Sequence, residues 1–109
     1  MVIVKIVMFV LPEKQLEVMQ TLISMIEPAG KEAGCLNYAV LCDIEDKNCF
    51  SLLGEWETRE ALDHHIMSHR FGVLMGTKTL LSDPMQIQIH TVSHSEGMAA
   101  IHTTRNKRS

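Results

Sequence analysis

The chain has 109 residues, 46% hydrophobic and 21% charged, which is the composition of one globular domain and excludes a disordered chain. Residues 1–92 hold 7 basic and 12 acidic residues, so the domain lacks the basic surface that a nucleic-acid partner requires. The three cysteines form neither an even set nor a CxxC pair. This pattern disfavours a disulfide framework and a thiolate zinc site, and it favours a reducing cytoplasm.

The first predicted element is a strand over Val2–Val10, rich in β-branched residues and apolar on both faces apart from Lys5. The segment is too short to span a bilayer, so we expect no membrane association. A single sheet that contains this strand would expose a large apolar patch. We therefore expect a homodimer in which the two sheets cover each other.

A helix is predicted to open at Pro12 and Glu13 and to end before Gly34. Pro28 predicts a kink in its last turns. Apolar residues that recur every three or four positions define the face we expect to be buried, namely Leu16, Met19, Leu22, Ile23, Ile26 and Ala29.

Cys35–Cys42 is predicted to form a hairpin with a strand from Phe50 to Trp56, across a polar turn at residues 43–48. Alternation places Leu36, Tyr38 and Val40 on one face and Asn37 on the other. Only one of the neighbours Asn37 and Tyr38 can then reach a pocket beneath the helices.

Thr58 is a predicted N-cap for a short helix with His65 on its inner stripe. His64, about 100° away around the helix, should face solvent. A second helical stretch follows Ser68, and a final strand spans Met85–Val92. That second stretch carries the apolar residues Phe71, Leu74, Met75 and Leu81.

This order of elements predicts an α+β, ferredoxin-like domain: a four-stranded antiparallel sheet with helices on one face, which dimerises as an α/β barrel. The domain is expected to span residues 1–92. Residues 93–109 form a C-terminal extension with an apolar cluster at Met98–Ile101 and a basic, solvated end at Arg105–Arg108. We expect this extension to dock on the partner subunit.

Three stretches resemble the antibiotic biosynthesis monooxygenase (ABM) family across about residues 2–92. They are Glu32–Tyr38 with the acidic residues that follow, Glu55–Leu62 around Trp56, and His65–Phe71. The resemblance implies a dimeric barrel with a pocket between sheet and helices in each subunit. Its members include cofactor-free oxygenases of quinols and anthrones, haem-degrading enzymes and an isomerase of a phosphorylated sugar derivative, so fold alone does not select the reaction.

The resemblance assigns catalytic roles to His65 and Trp56. A histidine titrates near neutral pH and so suits the removal of a phenolic or enolic proton, while a tryptophan can stack on a flat substrate. Structural roles stay open for both residues, as a hydrogen-bonded helix histidine and as a core aromatic. Further candidates for substrate contact are Tyr38, Asn37, His69, Phe71 and Met75.

Neither a metal nor another cofactor is expected. His65 and His69 stand four residues apart, but no acidic third ligand has a suitable spacing, and Ser68 interrupts the helix between them. Haem-degrading relatives carry an asparagine in the first strand and an iron-ligating histidine on the last helix. This chain has no asparagine in that strand and has Met75 in the comparable part of the helix.

The leading hypothesis is a cytoplasmic, cofactor-independent monooxygenase of a small quinol-like or enolisable aromatic substrate. Two alternatives stay open from the sequence. One is a dimer that binds a small molecule without catalysis, and the other is an isomerase of a small metabolite, which needs a proton donor and acceptor but no oxygen.

Overall fold

A computed structural model describes residues 1–107 of the protein, so Arg108 of the predicted basic end lies outside the described residues. Strand β1 (Val2–Phe9) lies inside an antiparallel sheet between β3 (Cys49–Trp56) and β4 (Gln86–Thr91). β2 (Cys35–Cys42) pairs with β3, which gives the order β2-β3-β1-β4. The predicted α+β, ferredoxin-like sheet is therefore confirmed, although Val10 lies just beyond β1 in an isolated bridge with Leu81.

Helix α1 (Gln15–Gly30) follows a single 3-10 turn at Pro12–Lys14 and contains Pro28 near its end. The prediction of its buried face was partly wrong, because Leu16, Ile23 and Ile26 are exposed. The helix is apolar on more than one side. The spacing of its apolar residues therefore did not determine which side packs against the sheet. The residues buried against the sheet are Val18, Leu22, Met25 and Ala29.

The hairpin of β2 and β3 contains an irregularity that the alternation rule did not predict. Cys35 pairs with Trp56, but Asn37 pairs with Glu55, so Leu36 is an extra residue in a β-bulge. Leu36 is exposed and does not share the buried face with Tyr38, contrary to the prediction. After the bulge, Tyr38 lies on the side of the sheet that the helices cover, and Asn37 lies on the opposite side.

Helix α2 (Arg59–Ile66) begins at Thr58, whose side chain accepts a hydrogen bond from the Ala61 amide, as predicted. Helix α3 (His69–Gly76) begins at Ser68, whose hydroxyl accepts from the amide of Phe71. A 3-10 turn at Thr77–Leu80 follows α3. Leu81, which was predicted to be helical, lies beyond that turn and forms the isolated bridge with Val10.

β4 is an edge strand and is shorter than predicted by one residue at each end, and all six of its residues are exposed. The extension beyond it forms helix α4 (Met98–Asn106), which the sequence patterns did not predict and which has no buried residue. Helices α1, α2 and α3 cover one side of the sheet. The other side is open and carries the apolar residues Ile3, Val7, Phe9, Ala39, Leu41 and Leu53.

Candidate functional site

Four rings form a buried cluster on the helical side of the sheet, which we call the aromatic cage: Tyr38, Trp56, His65 and Phe71. Trp56 stacks on His65 with ring centroids 4.8 Å apart. Tyr38 and Phe71 each present an edge to His65 at 5.3 Å, with planes inclined by 77° and 78°. Stacked and edge-to-face contacts are the favourable arrangements of aromatic rings, so the imidazole is held from three sides.

Gly54 makes room for this cluster on the sheet. It pairs with Tyr38 on β2 and with Val4 on β1, and it stands two residues before Trp56 on the same face of β3. A methyl group at Gly54 would lie 2.9 Å from Nε1 of Trp56 and 3.1 Å from a methyl carbon of Val4. The missing side chain therefore lets the indole lie against the sheet.

The imidazole of His65 is also held by a carboxylate. Nδ1 of His65 lies 2.6 Å from Oε2 of Glu32. The histidine side chain is fully buried, and that of Glu32 is 16% exposed. A hydrogen bond to an ionised partner is short and strong, especially where water is excluded. The pair therefore fixes the orientation of the ring within the cage.

The backbone of Glu32 is itself held in place at the junction of α1 and β2. Its amide donates to the carbonyl of Ala29 at 3.1 Å, and its carbonyl accepts from Cys35 at 3.1 Å. Gly34 follows with a φ of 82°, and a side chain there would meet the Cβ of Ala61 at 2.6 Å. This close approach to α2 brings Glu32 within reach of His65.

The backbone at His65 is anchored by Ser68, the residue that caps α3. The Ser68 amide and hydroxyl both donate to the carbonyl of His65, at 3.0 Å and 2.6 Å. Two hydrogen bonds to one carbonyl hold the end of α2 against the start of α3. His65 is therefore held at its backbone by Ser68 and at its side chain by Glu32.

Three buried polar atoms of the cage have no hydrogen-bond partner among residues 1–107: the Tyr38 hydroxyl, Nε1 of Trp56 and Nε2 of His65. Leaving such a group unpaired costs about 1–3 kcal/mol. The three atoms belong to neighbouring rings whose centroids are at most 6.5 Å apart. Buried polar atoms without a partner are rare in proteins, so three in one cluster are unusual. A polar ligand that reached these rings could make the missing hydrogen bonds.

Ionisation of Tyr38 is disfavoured in this setting. Burial raises the pKa of the phenol well above its usual value, the negative charge of Glu32 raises it further, and Arg70 opposes the shift weakly. The phenol therefore stays neutral and keeps a proton to donate. Burial likewise raises the pKa of the neighbouring Cys35 thiol, which disfavours a nucleophilic thiolate at this site.

The structure brings together four of the seven site residues predicted from the sequence, namely Tyr38, Trp56, His65 and Phe71. His65 faces inward and His64 is exposed, as predicted. Asn37 lies on the open side of the sheet, and Met75 is half-buried beside the core. His69 is exposed and lines a surface depression of about 340 Å³ together with Ser24, Met25, Ser68, Arg70 and Val73.

Glu32 is the site residue that the sequence patterns did not reveal. It stands 33 residues before His65, in a stretch that was notable only for its family resemblance. Among residues 1–107, no three His, Cys, Asp or Glu side chains are grouped so that they could hold a metal ion. Within the same residues, no helix combines the length and the hydropathy needed to cross a membrane.

Comparison with protein families gives a match over residues 1–75 to the family described as antibiotic biosynthesis monooxygenase. An uncharacterized protein of Synechocystis is 30% identical over 86 residues, which are 78% of this chain and 58% of that protein. The chain thus spans less than two thirds of the length of this relative.

Solved structures share the architecture. A conserved protein from Methanosarcina mazei is 32% identical with a TM-score of 0.76, and the match covers 82% of this chain and 89% of that one. An antibiotic biosynthesis monooxygenase of known structure is 24% identical with a TM-score of 0.78, and the match covers 86% and 100% of the two chains. At that identity the second likeness supports the fold alone.

Proposed function

The chain belongs to the antibiotic biosynthesis monooxygenase family, and from this premise we propose that it is a cofactor-independent monooxygenase. The proposed substrate is a small quinol-like or enolisable aromatic molecule bound in the aromatic cage. One observation carries the proposal: Nε2 of His65 is buried and unpaired within residues 1–107, while Nδ1 of the same ring is held by Glu32. This is the arrangement of a histidine that serves as a general base.

The reaction begins with transfer of the phenolic or enolic proton of the substrate to Nε2 of His65. The electron-rich anion then gives one electron to dioxygen, and the two radicals combine at a ring or benzylic carbon that carries hydrogen. The C–O bond of the resulting peroxide becomes a carbonyl as the O–O bond breaks. Overall the substrate loses two hydrogens and gains one oxygen, and the second oxygen leaves as water.

The other cage residues support this chemistry by binding and orientation. The neutral Tyr38 hydroxyl and the indole N–H of Trp56 can donate hydrogen bonds to an oxygen of the substrate. Their apolar rings, with that of Phe71, are buried and would keep water away from the anion. Positioning of this kind supplies much of the rate enhancement when no cofactor takes part.

We expect the enzyme to act as a homodimer in the cytoplasm. The open side of the sheet carries apolar side chains on three neighbouring strands, which a second copy can cover. The extension at residues 93–109 would dock on that second copy through Met98 and Ile101, which are 67% and 55% exposed. The free thiols of Cys35, Cys42 and Cys49 suit a reducing compartment.

The test measures oxygen consumption by the purified protein with a panel of quinols and anthrones. His65→Ala should lower kcat by about 10²-fold, the usual contribution of a positioned base, while circular dichroism shows an unchanged fold. His64→Ala is the matched control, since this neighbour is exposed, and it should leave kcat within about twofold.

Three outcomes would contradict the proposal. Turnover of a panel substrate without oxygen consumption would indicate the isomerase. A ligand retained in native mass spectrometry, with no turnover of any panel member, would indicate a binding protein. Equal kcat values for the two histidine variants would assign His65 a structural role.

A further inference from the structure

We propose that Glu32 is a positioning residue: its carboxylate keeps the proton of the His65 imidazole on Nδ1 and so leaves Nε2 as a hydrogen-bond acceptor. The effect of this tautomer on catalysis rests on the proposed monooxygenase function. The tautomer itself rests only on geometry and can be measured without a substrate. Glu32 was not among the predicted site residues, and its role follows from its contact with His65.

The short contact between the two side chains locates the proton. An ionised carboxylate has only acceptor oxygens, so the proton between Oε2 of Glu32 and Nδ1 of His65, 2.6 Å apart, belongs to the ring nitrogen. The proposal requires a neutral imidazole, in which only one nitrogen carries a proton; a doubly protonated ring in the NMR test overturns it. Nε2 then has a free lone pair, directed away from Glu32.

Glu32 also influences the rest of the cage. Its charge raises the pKa of the Tyr38 phenol, after the larger effect of burial. One carboxylate therefore favours a neutral donor at Tyr38 and an acceptor at His65. Arg70 and Cys35 are the other charged or titratable groups that act on Tyr38, and Arg70 acts in the opposite direction.

The unpaired atoms of the cage set the pattern that a ligand must match. With Nδ1 protonated, they comprise one acceptor, Nε2, and two donors, the Trp56 N–H and the Tyr38 hydroxyl. A molecule with an acidic hydroxyl and a separate oxygen acceptor, such as a hydroxyaryl ketone or an enol, complements this set. With Nε2 protonated, the cage would offer three donors and would instead suit a ligand that is already an anion.

The tautomer is read by NMR from two-bond nitrogen–proton couplings of the imidazole in the ¹⁵N-labelled full chain. The His65 signals are identified by their loss in His65→Ala. At neutral pH we expect the Nδ1–H pattern for His65. Glu32→Leu should shift His65 to the Nε2–H form that imidazole prefers in water, and Glu27→Leu, which changes an exposed carboxylate on α1, should not.

The proposal is overturned if His65 of the unchanged protein shows the Nε2–H pattern, or if Glu32→Leu leaves the tautomer unaltered. Should Glu32→Leu fail to fold, Glu32→Asp withdraws the carboxylate by one carbon–carbon bond, and the population of the Nδ1–H form must then fall. A tautomer unaffected by that change also overturns the proposal.

Kinetics separate this inference from the proposed function. With an active quinol substrate, Glu32→Leu should lower kcat by about tenfold or more and change KM less, because it removes the orientation of the base rather than a substrate contact. If no quinol is oxidised but the tautomer depends on Glu32, the monooxygenase proposal fails and the positioning role stands. Turnover at an unchanged kcat in Glu32→Leu would contradict the positioning role.

Discussion

The indole of Trp56 stacks on the imidazole of His65, with ring centroids 4.8 Å apart and planes inclined by 29°. Both side chains are completely buried. Because Trp56 is the only tryptophan and Tyr38 the only tyrosine of the chain, tryptophan fluorescence and the near-ultraviolet circular dichroism at wavelengths where phenylalanine does not absorb report on the candidate site. Changes in the cage can therefore be followed before a substrate is known.

The first prediction uses this reporter at Gly54. In Gly54→Ala the new methyl group would lie 2.9 Å from Nε1 of Trp56 and 3.1 Å from Val4, on a central strand with little freedom to move. We expect the free energy of unfolding to fall by about 1–3 kcal/mol, a usual cost of overpacking. The near-ultraviolet signal of Trp56 should change because the indole must shift from His65.

Gly72→Ala is the control for this change. Gly72 lies in α3, and a methyl group there would have no neighbouring atom within 4 Å outside its own stretch of helix backbone. Alanine is more favourable than glycine inside a helix by up to about 1 kcal/mol. This variant should be as stable as the unchanged protein or more stable, with the same near-ultraviolet spectrum. Equal unfolding free energies for the two variants would contradict the role assigned to Gly54.

Local sequence patterns predicted the order of strands and helices up to β4, because most of these elements bury one face and so carry a periodic pattern, but they did not predict helix α4. The same reasoning distinguished His65 from His64. It did not predict the bulge at Leu36, since one extra residue in a strand leaves no compositional trace. It also chose Ile23 for the buried face of α1, where Met25 is buried instead.

The contact between Glu32 and His65 was beyond such patterns for a physical reason. The two residues lie 33 positions apart, and their approach depends on how the turn around Gly34 packs against α2. Propensity and periodicity describe neighbours along the chain, whereas this contact depends on tertiary packing. The cage itself was predicted in part because three of its rings lie on the inward positions of β2, β3 and α2.

The second prediction concerns the ionisation of Tyr38, the only tyrosine of the chain. Its pKa in the folded protein is raised by burial and by Glu32, whereas in the unfolded chain it is about 10. The folded state therefore retains a proton that the unfolded state loses. The stabilisation is fully present below about pH 10 and is lost as the pH rises further toward the folded-state pKa.

This linkage is measured in two ways. Absorbance of the phenolate near 295 nm should appear in the folded protein only at a higher pH than in the chain unfolded in urea. The free energy of unfolding should decrease above about pH 10, and Tyr38→Phe should lessen that decrease. Phenolate absorbance that appears at the same pH in both states would contradict the burial of a neutral phenol.

The third prediction concerns the extension at residues 93–109. Met98 and Ile101 lie one helical turn apart on α4 and are largely exposed in the single chain. If they dock on the partner subunit, burial of each side chain contributes about 1.5–3 kcal/mol. Met98→Gln with Ile101→Gln should then raise the dissociation constant of the dimer about tenfold or more.

Sedimentation equilibrium measures that constant, and Thr103→Gln is the control, because Thr103 is exposed and lies on the opposite side of α4 from Met98 and Ile101. The control should dimerise as tightly as the unchanged protein. Equal dissociation constants for the double variant and the unchanged protein would show that the extension does not contribute to the dimer.

The last prediction concerns the open side of the sheet. Val7 lies on this side in the central strand β1, with Ser51 and Gln86 as its cross-strand neighbours. These polar neighbours allow a carboxylate at this position in a single solvated chain. In a dimer whose sheets face each other, Val7→Glu would remove a carboxylate from water, and the effective penalty is several kcal/mol for each buried ion even where the neighbouring Lys5 can approach it.

Val73→Glu makes the same substitution on the exposed surface of α3, on the helical side of the sheet. We expect the unchanged protein and Val73→Glu to sediment as dimers at micromolar concentration and Val7→Glu to sediment as a folded monomer. Circular dichroism establishes that each variant is folded. A monomeric unchanged protein, or a Val7→Glu variant that remains a dimer, would contradict association through the sheets, because that interface cannot accept a carboxylate at its centre without a large loss of affinity.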